Sequence, residues 1–495
     1  MATRPIRFVH RGRVVEVSDI HPTKSVLDWL REDAHCSGTK EGCNEGDCGA
    51  CTVVLGEAQD DETLRLRAVN ACIQLLPTLD GKALFTVEDL AGADGALHPV
   101  QQAMVDCHGS QCGFCTPGFV MSMWAQYEQQ PQCPTRREWA DALSGNLCRC
   151  TGYRPILDAG ERAYQLPPAR LDAKPVLAAL AQLAGDASLH YEAAHPHLPG
   201  APRHRFHAPR TLDRLAALVE QHPHARLLAG STDIGLWVNK QFKELPELIY
   251  LGEVAELKTI ETRADGGLVI GAGASLEAAW SALAARHPRL TEMHLRFASL
   301  PIRNAGTMGG NVANGSAVGD AAPVLLALDA KLLLRHGAQQ RRLPLSAFYL
   351  DYMKNALLPG EFVQAIELPP PPAGLRLAAY KLSKRYDCDI SAVAAGLSVQ
   401  IDGEGQVRQV RFAFGGMAAT VQRAAAAEAA VVGRPWNEDA LRAAQAALEH
   451  DLTPLTDMRA SAAHRLRGAR NLLERFWLET RVADPLPASE LSVWS

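Results

Sequence analysis

The chain has 495 residues, 47% of them apolar and 21% charged, and a formal charge of −5. That length suits about three domains. The composition excludes a mostly disordered or collagen-like chain, and the slight acidity gives no electrostatic footprint for nucleic acid or an anionic membrane. The start, Met1 to His10, carries Arg4 and Arg7 and no long apolar core, so no secretory signal is read. No apolar run reaches the roughly 18 residues of a membrane span. A cytoplasmic protein is expected, and its twelve cysteines would stay reduced there. Eleven of them lie between Cys36 and Cys150, a crowding that points to metal.

Taken in chain order, residues 5–17 read as two short strands about a turn at Arg11-Gly12. A short helix follows at 25–31, capped by Thr23 or Ser25. A Gly- and Cys-rich loop runs from Gly38 to Cys51, with strands at 52–55 and 83–87. From His98 the pattern turns helical over 100–108, 119–129 and 135–143, with Pro99, Pro117 and Pro134 near the starts. Residues 166–210 hold seven prolines and five histidines, the composition of a linker. The histidines from His190 to His207 are irregularly spaced and broken by Pro196, Pro199 and Pro202, so no metal site is read there. A third unit opens at Arg226 with strand, Gly-rich turn and helix. Pro369 to Pro372 marks a second break, and 373–495 mixes strands at 394–401 and 407–414 with Ala-rich helices. No internal repeat or heptad array is present.

Two cysteine quartets carry the chemistry. Cys43, Cys48 and Cys51 have the spacing C-x4-C-x2-C, and Cys72 follows after a gap of 20 residues. This is the plant-type ferredoxin pattern for a 2Fe–2S cluster. Two irons need four thiolates, and thiolate charge needs backbone N–H donors. Gly42, Gly46 and Gly49 let the loop curl so that its amides face the sulfurs. The alternative is structural zinc, which more often uses two C-x2-C knuckles; here only Cys48 and Cys51 form one. The second quartet pairs Cys112 and Cys115 (C-x2-C) with Cys148 and Cys150 (C-x-C). Alone such pairs also suit zinc or a thiol redox couple. Beside a ferredoxin-like loop, a second cluster is the better reading. Cys36, Cys107, Cys133 and Cys388 are left as buried cysteines of no chemical role.

Two Gly-rich stretches follow. Leu227-Leu-Ala-Gly-Ser-Thr-Asp-Ile-Gly235 ends a strand and opens a helix, a setting that suits a pyrophosphate. Between Arg303 and Asp320, glycines 306, 309, 310, 315 and 319 permit close backbone approach to a ligand, with Asn311, Asn314 and Ser316 as polar groups. Either stretch alone is equally an ordinary loop. Gly271-Ala-Gly273 lacks a third glycine, so a Rossmann-type dinucleotide fold is not supported. Lys381, Lys384 and Arg385 read by themselves as a solvated charged edge.

The motifs Cys43-Asn-Glu-Gly-Asp-Cys-Gly-Ala-Cys51, Gln111-Cys-Gly-Phe-Cys-Thr-Pro-Gly118 and Asn146-Leu-Cys-Arg-Cys-Thr-Gly-Tyr-Arg-Pro155 together resemble the paired 2Fe–2S domains of the molybdenum hydroxylases. That family includes xanthine dehydrogenase, aldehyde oxidoreductase and carbon monoxide dehydrogenase. The resemblance implies an α+β multidomain chain. Its parts would be a ferredoxin-like β-grasp 2Fe–2S domain (1–90), a helical-bundle 2Fe–2S domain (91–165) and a linker (166–202). An α+β FAD-binding domain of the vanillyl-alcohol-oxidase type (203–372) and a C-terminal α+β flavoprotein domain (373–495) would follow.

By the same resemblance, Leu227, Leu228, Ala229, Gly230, Ser231, Thr232, Asp233, Ile234 and Gly235 would wrap the FAD diphosphate, and Phe297 would lie along the flavin. Thr307, Gly309, Gly310 and Asn311 would form a second diphosphate loop. Asp320 would contact the adenosine side and Val363 would give a backbone contact. Lys381 would stand near the flavin, its ammonium stabilising negative charge there.

The resemblance also implies partners. The residues after Pro372 are too few for a molybdopterin portion, so molybdenum is expected on a large partner subunit in an α2β2 assembly. Bacterial xanthine dehydrogenases fuse their iron–sulfur and FAD units in a small subunit of this kind. The implied role is an electron relay during oxidation of hypoxanthine and xanthine to urate. Electrons would pass from the cluster of Cys112, Cys115, Cys148 and Cys150 to that of Cys43, Cys48, Cys51 and Cys72, then to FAD and NAD+. No residue of this chain is expected to act as the catalytic base. Three other readings stay open: the same relay serving an aldehyde or N-heterocycle, a stand-alone iron–sulfur flavoprotein carrier, and a zinc-stabilised scaffold.

Overall fold

The computed structural model describes residues 3–92, 94–185, 187–195, 200 and 202–491. Met1 and Ala2, and within the Pro-rich stretch Pro196, His197 and Pro199, lie outside the described residues. The chain is α+β and multidomain, and its contacts divide it into two units. One comprises Met1–Ala255 with Ala298–Gly306, the other Glu256–Phe297 with Thr307–Ser495.

In the first unit, Ile6–His10 pairs antiparallel with Arg13–Val17. Arg11 and Gly12, at φ +52° and +69°, make the tight turn that matches strand twist. Ile6–His10 also runs parallel to Ala83–Phe85, and Thr52–Ala58 and Leu64–Asn70 complete a five-stranded β-grasp sheet. Val26, Leu27 and Leu30 bury the following helical turns against Phe8 and Val53. Leu64–Asn70 goes beyond the sequence reading, although its alternation of Leu64, Leu66 and Ala68 with Arg65 and Arg67 carries the period-two signal.

The helical segment consists of Pro99–Asp106, Thr116–Gln129, Arg136–Ala142 and Arg154–Ala163, packed around Phe119, Met123, Tyr127, Trp139 and Ile156. Thr135 closes a reciprocal capping box with Glu138, so the Arg136–Ala142 helix starts where its N-cap residue dictates.

The stretch read as a linker is more ordered than its composition suggests. Helix Ala173–Ala184 buries Val176, Leu180 and Leu183, and strand Leu189–Ala193 joins a four-stranded sheet. Asp172 caps the helix, Pro175 falls within its first turn, and the Ala/Leu run that follows is strongly helix-forming. In that sheet His204–Ala208 lies antiparallel to Leu189–Ala193 and parallel to Glu247–Tyr250, which pairs in turn with Arg226–Leu228.

The second unit holds a five-stranded sheet ordered Ile260–Thr262, Leu268–Gly271, Phe362–Leu368, Lys331–His336 and Gln339–Pro344. It also holds a four-stranded sheet of Leu375–Leu382, Val393–Ile401, Val407–Gly415 and Gln422–Arg423. Helices Glu438–Asp451 and Ala462–Thr480 cover one face of the latter through Phe412, Trp436, Leu448 and Phe476.

Candidate cluster and flavin sites

The loop ending at Cys51 wraps its own sulfurs. Asn44, Gly46 and Gly49 take φ of +55°, +79° and +70°, which turns successive amides inward. N–H groups of Glu45, Asp47 and Cys48 point at Cys43 Sγ, the last two at 3.4 and 3.3 Å. The Ala50 amide faces Cys48, and that of Gly46 faces Cys72. Cys51 Sγ lies 3.3 Å from Cys72 Sγ, both buried. A Cβ on Gly42 would sit 2.7 Å from Cys48 Sγ, so only glycine leaves that sulfur room.

Electrostatics follow from this crowding. The Cys48 thiol, donating to Cys43, pulls Cys43 down to about 5. The same bond pushes Cys48 up. Cys51 is lowered by the Cys72 thiol, and Cys72 is raised in return. Four converging sulfurs with inward N–H donors form the donor set of a 2Fe–2S centre, whereas zinc alone does not require the amide cage.

The second quartet also converges. The thiols of Cys112 and Cys150 share a hydrogen bond, as do those of Cys115 and Cys148. The Phe114 amide, and then the Cys150 thiol, lowers Cys112. Burial pushes Cys115 up to about 12. Burial also works against ionising Cys148, but donors including the Thr151 hydroxyl at 3.2 Å outweigh it. Cys112 and Cys150 are exposed, unlike the buried pair Cys51 and Cys72. Among the leftover cysteines, Cys36 is buried as expected, Cys107 and Cys388 are half-buried, and Cys133 is exposed, which corrects its reading as a buried one. Cys133 lies in the short connection between two helices rather than on a core face.

The two cages touch. Leu147 N–H donates to Cys48 O at 3.0 Å, one residue from Cys148. Asn146 Nδ2 donates to Gly49 O (3.0 Å) and Thr52 Oγ1 (3.2 Å), and its Oδ1 accepts from Ser122 Oγ. A Cβ on Gly118 would meet Gly49 O at 2.1 Å. Glycine on each side therefore sets how closely helix Thr116–Gln129 approaches the first cage.

Residues 227–235 lie in the same unit. Gly230 is pressed so tightly to the neighbouring backbone that a Cβ would lie 1.8 Å from Ala305 O. Ser231 takes φ +63°, and its buried Oγ has no hydrogen-bond partner among the described residues. An orphan hydroxyl in a left-handed turn fits an anionic group such as a diphosphate. The next helix, Ile234–Asn239, reaches back to the cage. Asn239 Nδ2 donates to Cys72 O at 2.8 Å and Asn44 Oδ1 at 3.1 Å, and Lys240 Nζ donates to Cys43 O. Gln74 Nε2 donates to Gly230 O at 3.0 Å. Sequence reasoning missed the contacts of Asn146, which opens the motif ending at Pro155, and missed Asn239 and Gln74, which lie near motifs without belonging to their patterns.

Gly230→Ala is expected to lose bound FAD and to cost about 1–3 kcal/mol in stability through overpacking, with the iron content unchanged. Flavin-to-iron ratio and thermal unfolding check this.

The remaining candidate residues lie in the second unit. Thr307 caps helix Met308–Asn314, its Oγ1 accepting from Gly310 N at 3.1 Å. Gly309 and Ala272 are in backbone contact, a Cβ on the former coming within 2.6 Å of Ala272 Cα. Asn311 lies on the same short helix, and Val363 is buried in strand Phe362–Leu368. The Phe297 ring packs against Trp280 at 5.5 Å.

Lys381 is buried, unlike exposed Arg385, so it is no solvated edge. Its Nζ lies 2.6 Å from Asp320 Oδ2 and 3.2 Å from Arg296 O, and Ser391 Oγ donates to the other carboxylate oxygen. Asp320 and Lys381 therefore occupy one point.

Comparison with known proteins gives four consecutive matches. A 2Fe-2S iron-sulfur cluster binding domain matches residues 9–76 and a second [2Fe-2S] binding domain 86–161. A FAD binding domain of molybdopterin dehydrogenases matches 202–371, and a CO dehydrogenase flavoprotein C-terminal domain 378–480. Xanthine dehydrogenase of Emericella nidulans is 32% identical over 90% of this chain and 36% of its own length. Aldehyde oxidase 4 of Cavia porcellus is 31% identical over 88% and 36%. Reconstituted CO dehydrogenase from Oligotropha carboxidovorans matches with a TM-score of 0.52 at 28% identity, covering 56% of this chain and 96% of that one. The chain spans about a third of the length of the curated relatives it matches (36% of each).

Proposed function

Because the chain belongs to the molybdenum hydroxylase family, as its iron–sulfur and FAD-bearing part, we propose that it relays electrons from a molybdopterin-bearing partner subunit to FAD and on to NAD+. We assign Cys112, Cys115, Cys148 and Cys150 to the entry cluster and Cys43, Cys48, Cys51 and Cys72 to the second. Residues 227–235 and 307–311, with Phe297, Asp320, Val363 and Lys381, are assigned to FAD. The proposed domain boundaries fall near 90, 165, 202 and 372. When bound, the clusters carry single electrons and FAD carries two.

The observation that carries this reading is the ordered contact chain through the first unit. Leu147 N–H reaches Cys48 O of the first cage, and Asn239 reaches its Cys72 O. These side chains and amides hold the two quartets and the Gly230 turn in sequence and fill the space between them with bonded atoms. The quartet with two exposed sulfurs, Cys112 and Cys150, is assigned to the partner-facing end. Leu97, Val105, Phe114, Leu147 and Tyr153 are 37–59% exposed in the same helical segment, an apolar rim suited to protein contact. Among the described residues no helix is long and apolar enough to cross a membrane.

The proposed reaction of the assembly is oxidation of hypoxanthine and xanthine to urate in an α2β2 enzyme, supported by the xanthine dehydrogenases among the relatives. The aldehyde oxidase relative favours an aldehyde as the second reading. Co-expression with the molybdopterin subunit and steady-state assays with hypoxanthine and with an aldehyde separate the two. NAD+ reduction with hypoxanthine is expected; turnover confined to the aldehyde would overturn the purine assignment.

A further inference from the structure

We propose that His207, His222 and Glu247 bind a divalent cation of the zinc class. The three residues are far apart in sequence, and the fold brings them together. His207 lies on strand His204–Ala208, Glu247 opens the parallel neighbour Glu247–Tyr250, and His222 ends helix Leu212–Gln221. His207 Nε2 stands 3.2 Å and His222 Nδ1 3.1 Å from one oxygen, Glu247 Oε1. The three ligand atoms lie within 4.8 Å of one another. Tetrahedral zinc with nitrogen and oxygen ligands sets neighbouring ligand atoms about 3.3 Å apart, so a cation fits with little rearrangement. Two imidazoles and one carboxylate form a ligand set for such a metal, leaving a fourth position for water.

The surroundings favour coordination. His190, cross-strand from His207, places its Nδ1 2.9 Å from His207 Nδ1. When a cation displaces the proton that His207 Nε2 shares with Glu247, Nδ1–H donating to His190 orients the ring, as a supporting group does for a metal-binding imidazole. Arg205 Nε reaches the same Glu247 oxygen at 3.1 Å, but its side chain is 44% exposed and can swing into solvent.

A neighbouring cluster of His21, His204 and Glu244 is the weaker site. There the Thr23 amide donates to His21 Nδ1, leaving the proton on Nε2 to bond His204 Nδ1 at 2.9 Å, so the two rings engage each other. Glu247 opens its strand, whereas residues 229–235 follow the closing end of Arg226–Leu228. A cation at the proposed site clamps the two strands and the helix end, a structural role apart from the redox groups.

The test is equilibrium dialysis of the full holoprotein against Zn2+, with zinc and iron measured together and zinc K-edge absorption identifying the ligands. About one zinc per chain with nitrogen and oxygen ligands is expected. His222→Ala and Glu247→Gln should lose it with unchanged iron and far-ultraviolet circular dichroism. His222 is partly exposed, so its loss leaves the core intact. His190→Ala should weaken binding about 10–100-fold, and His21→Ala should bind as the parent does. No zinc on the parent protein, equal zinc on every variant, or sulfur ligation would overturn the proposal.

Discussion

Cys43→Ala is expected to lower the iron content from about four to about two per chain and to leave FAD bound. Electron paramagnetic resonance of the reduced protein should lose one of two signals and keep the other. The reason is local. Cys43 Sγ is the acceptor for the Asp47 and Cys48 amides and the partner of the Cys48 thiol, so the loop loses both a ligand and the charge that organises its N–H groups. The second quartet draws its donors from Phe114, Cys150 and Thr151, none of which the substitution touches. Helix Ile234–Asn239 meets this cage through the Asn239 side chain and Cys72 O, a contact that the variant retains. Two intact signals in the variant would refute the ligand assignment.

Gly118→Ala has the second large effect, and it acts on the space between the cages. The added methyl would lie 2.1 Å from Gly49 O, a backbone atom that cannot rotate away. Helix Thr116–Gln129 must therefore retreat. Overpacking of this kind costs about 1–3 kcal/mol, and here it also strains the contacts from Asn146 to Gly49 and from Leu147 to Cys48. The expected result is a lower unfolding temperature together with slower reduction of the first cluster by the second, followed by freeze-quench resonance, with all iron still bound. Unchanged stability and unchanged intercluster kinetics would show that this contact does not set the gap.

Much of the cluster chemistry was legible because ligand spacing is a local property. C-x4-C-x2-C and the paired C-x2-C and C-x-C state which sulfurs belong together, and the structure brings each quartet to one point. The Arg11-Gly12 turn and the helices near Pro99, Pro117 and Pro134 were legible for the same reason, since turn and cap chemistry reside in a few adjacent residues.

What escaped depends on surfaces meeting. Asn146 opens one motif and Asn239 lies close to another, but their partners, Gly49 and Cys72, are 97 and 167 residues away. Helix Ala173–Ala184 was masked by the prolines around it, although Asp172 and the Ala/Leu run supply its own start and core face. The Asp320–Lys381 pair could not be foreseen from residues 61 positions apart in different motifs. The histidines looked irregular along the chain because their organisation is across strands. His190 faces His207 by sheet register, and the acidic partner Glu247 lies 40 residues beyond His207.

Combined iron, acid-labile sulfide and flavin analysis of the purified chain tests the central claim most directly. About four irons, about four sulfides and one FAD per chain are expected, the content of two 2Fe–2S centres feeding one flavin. A protein carrying zinc in place of iron, or iron without labile sulfide, would contradict it.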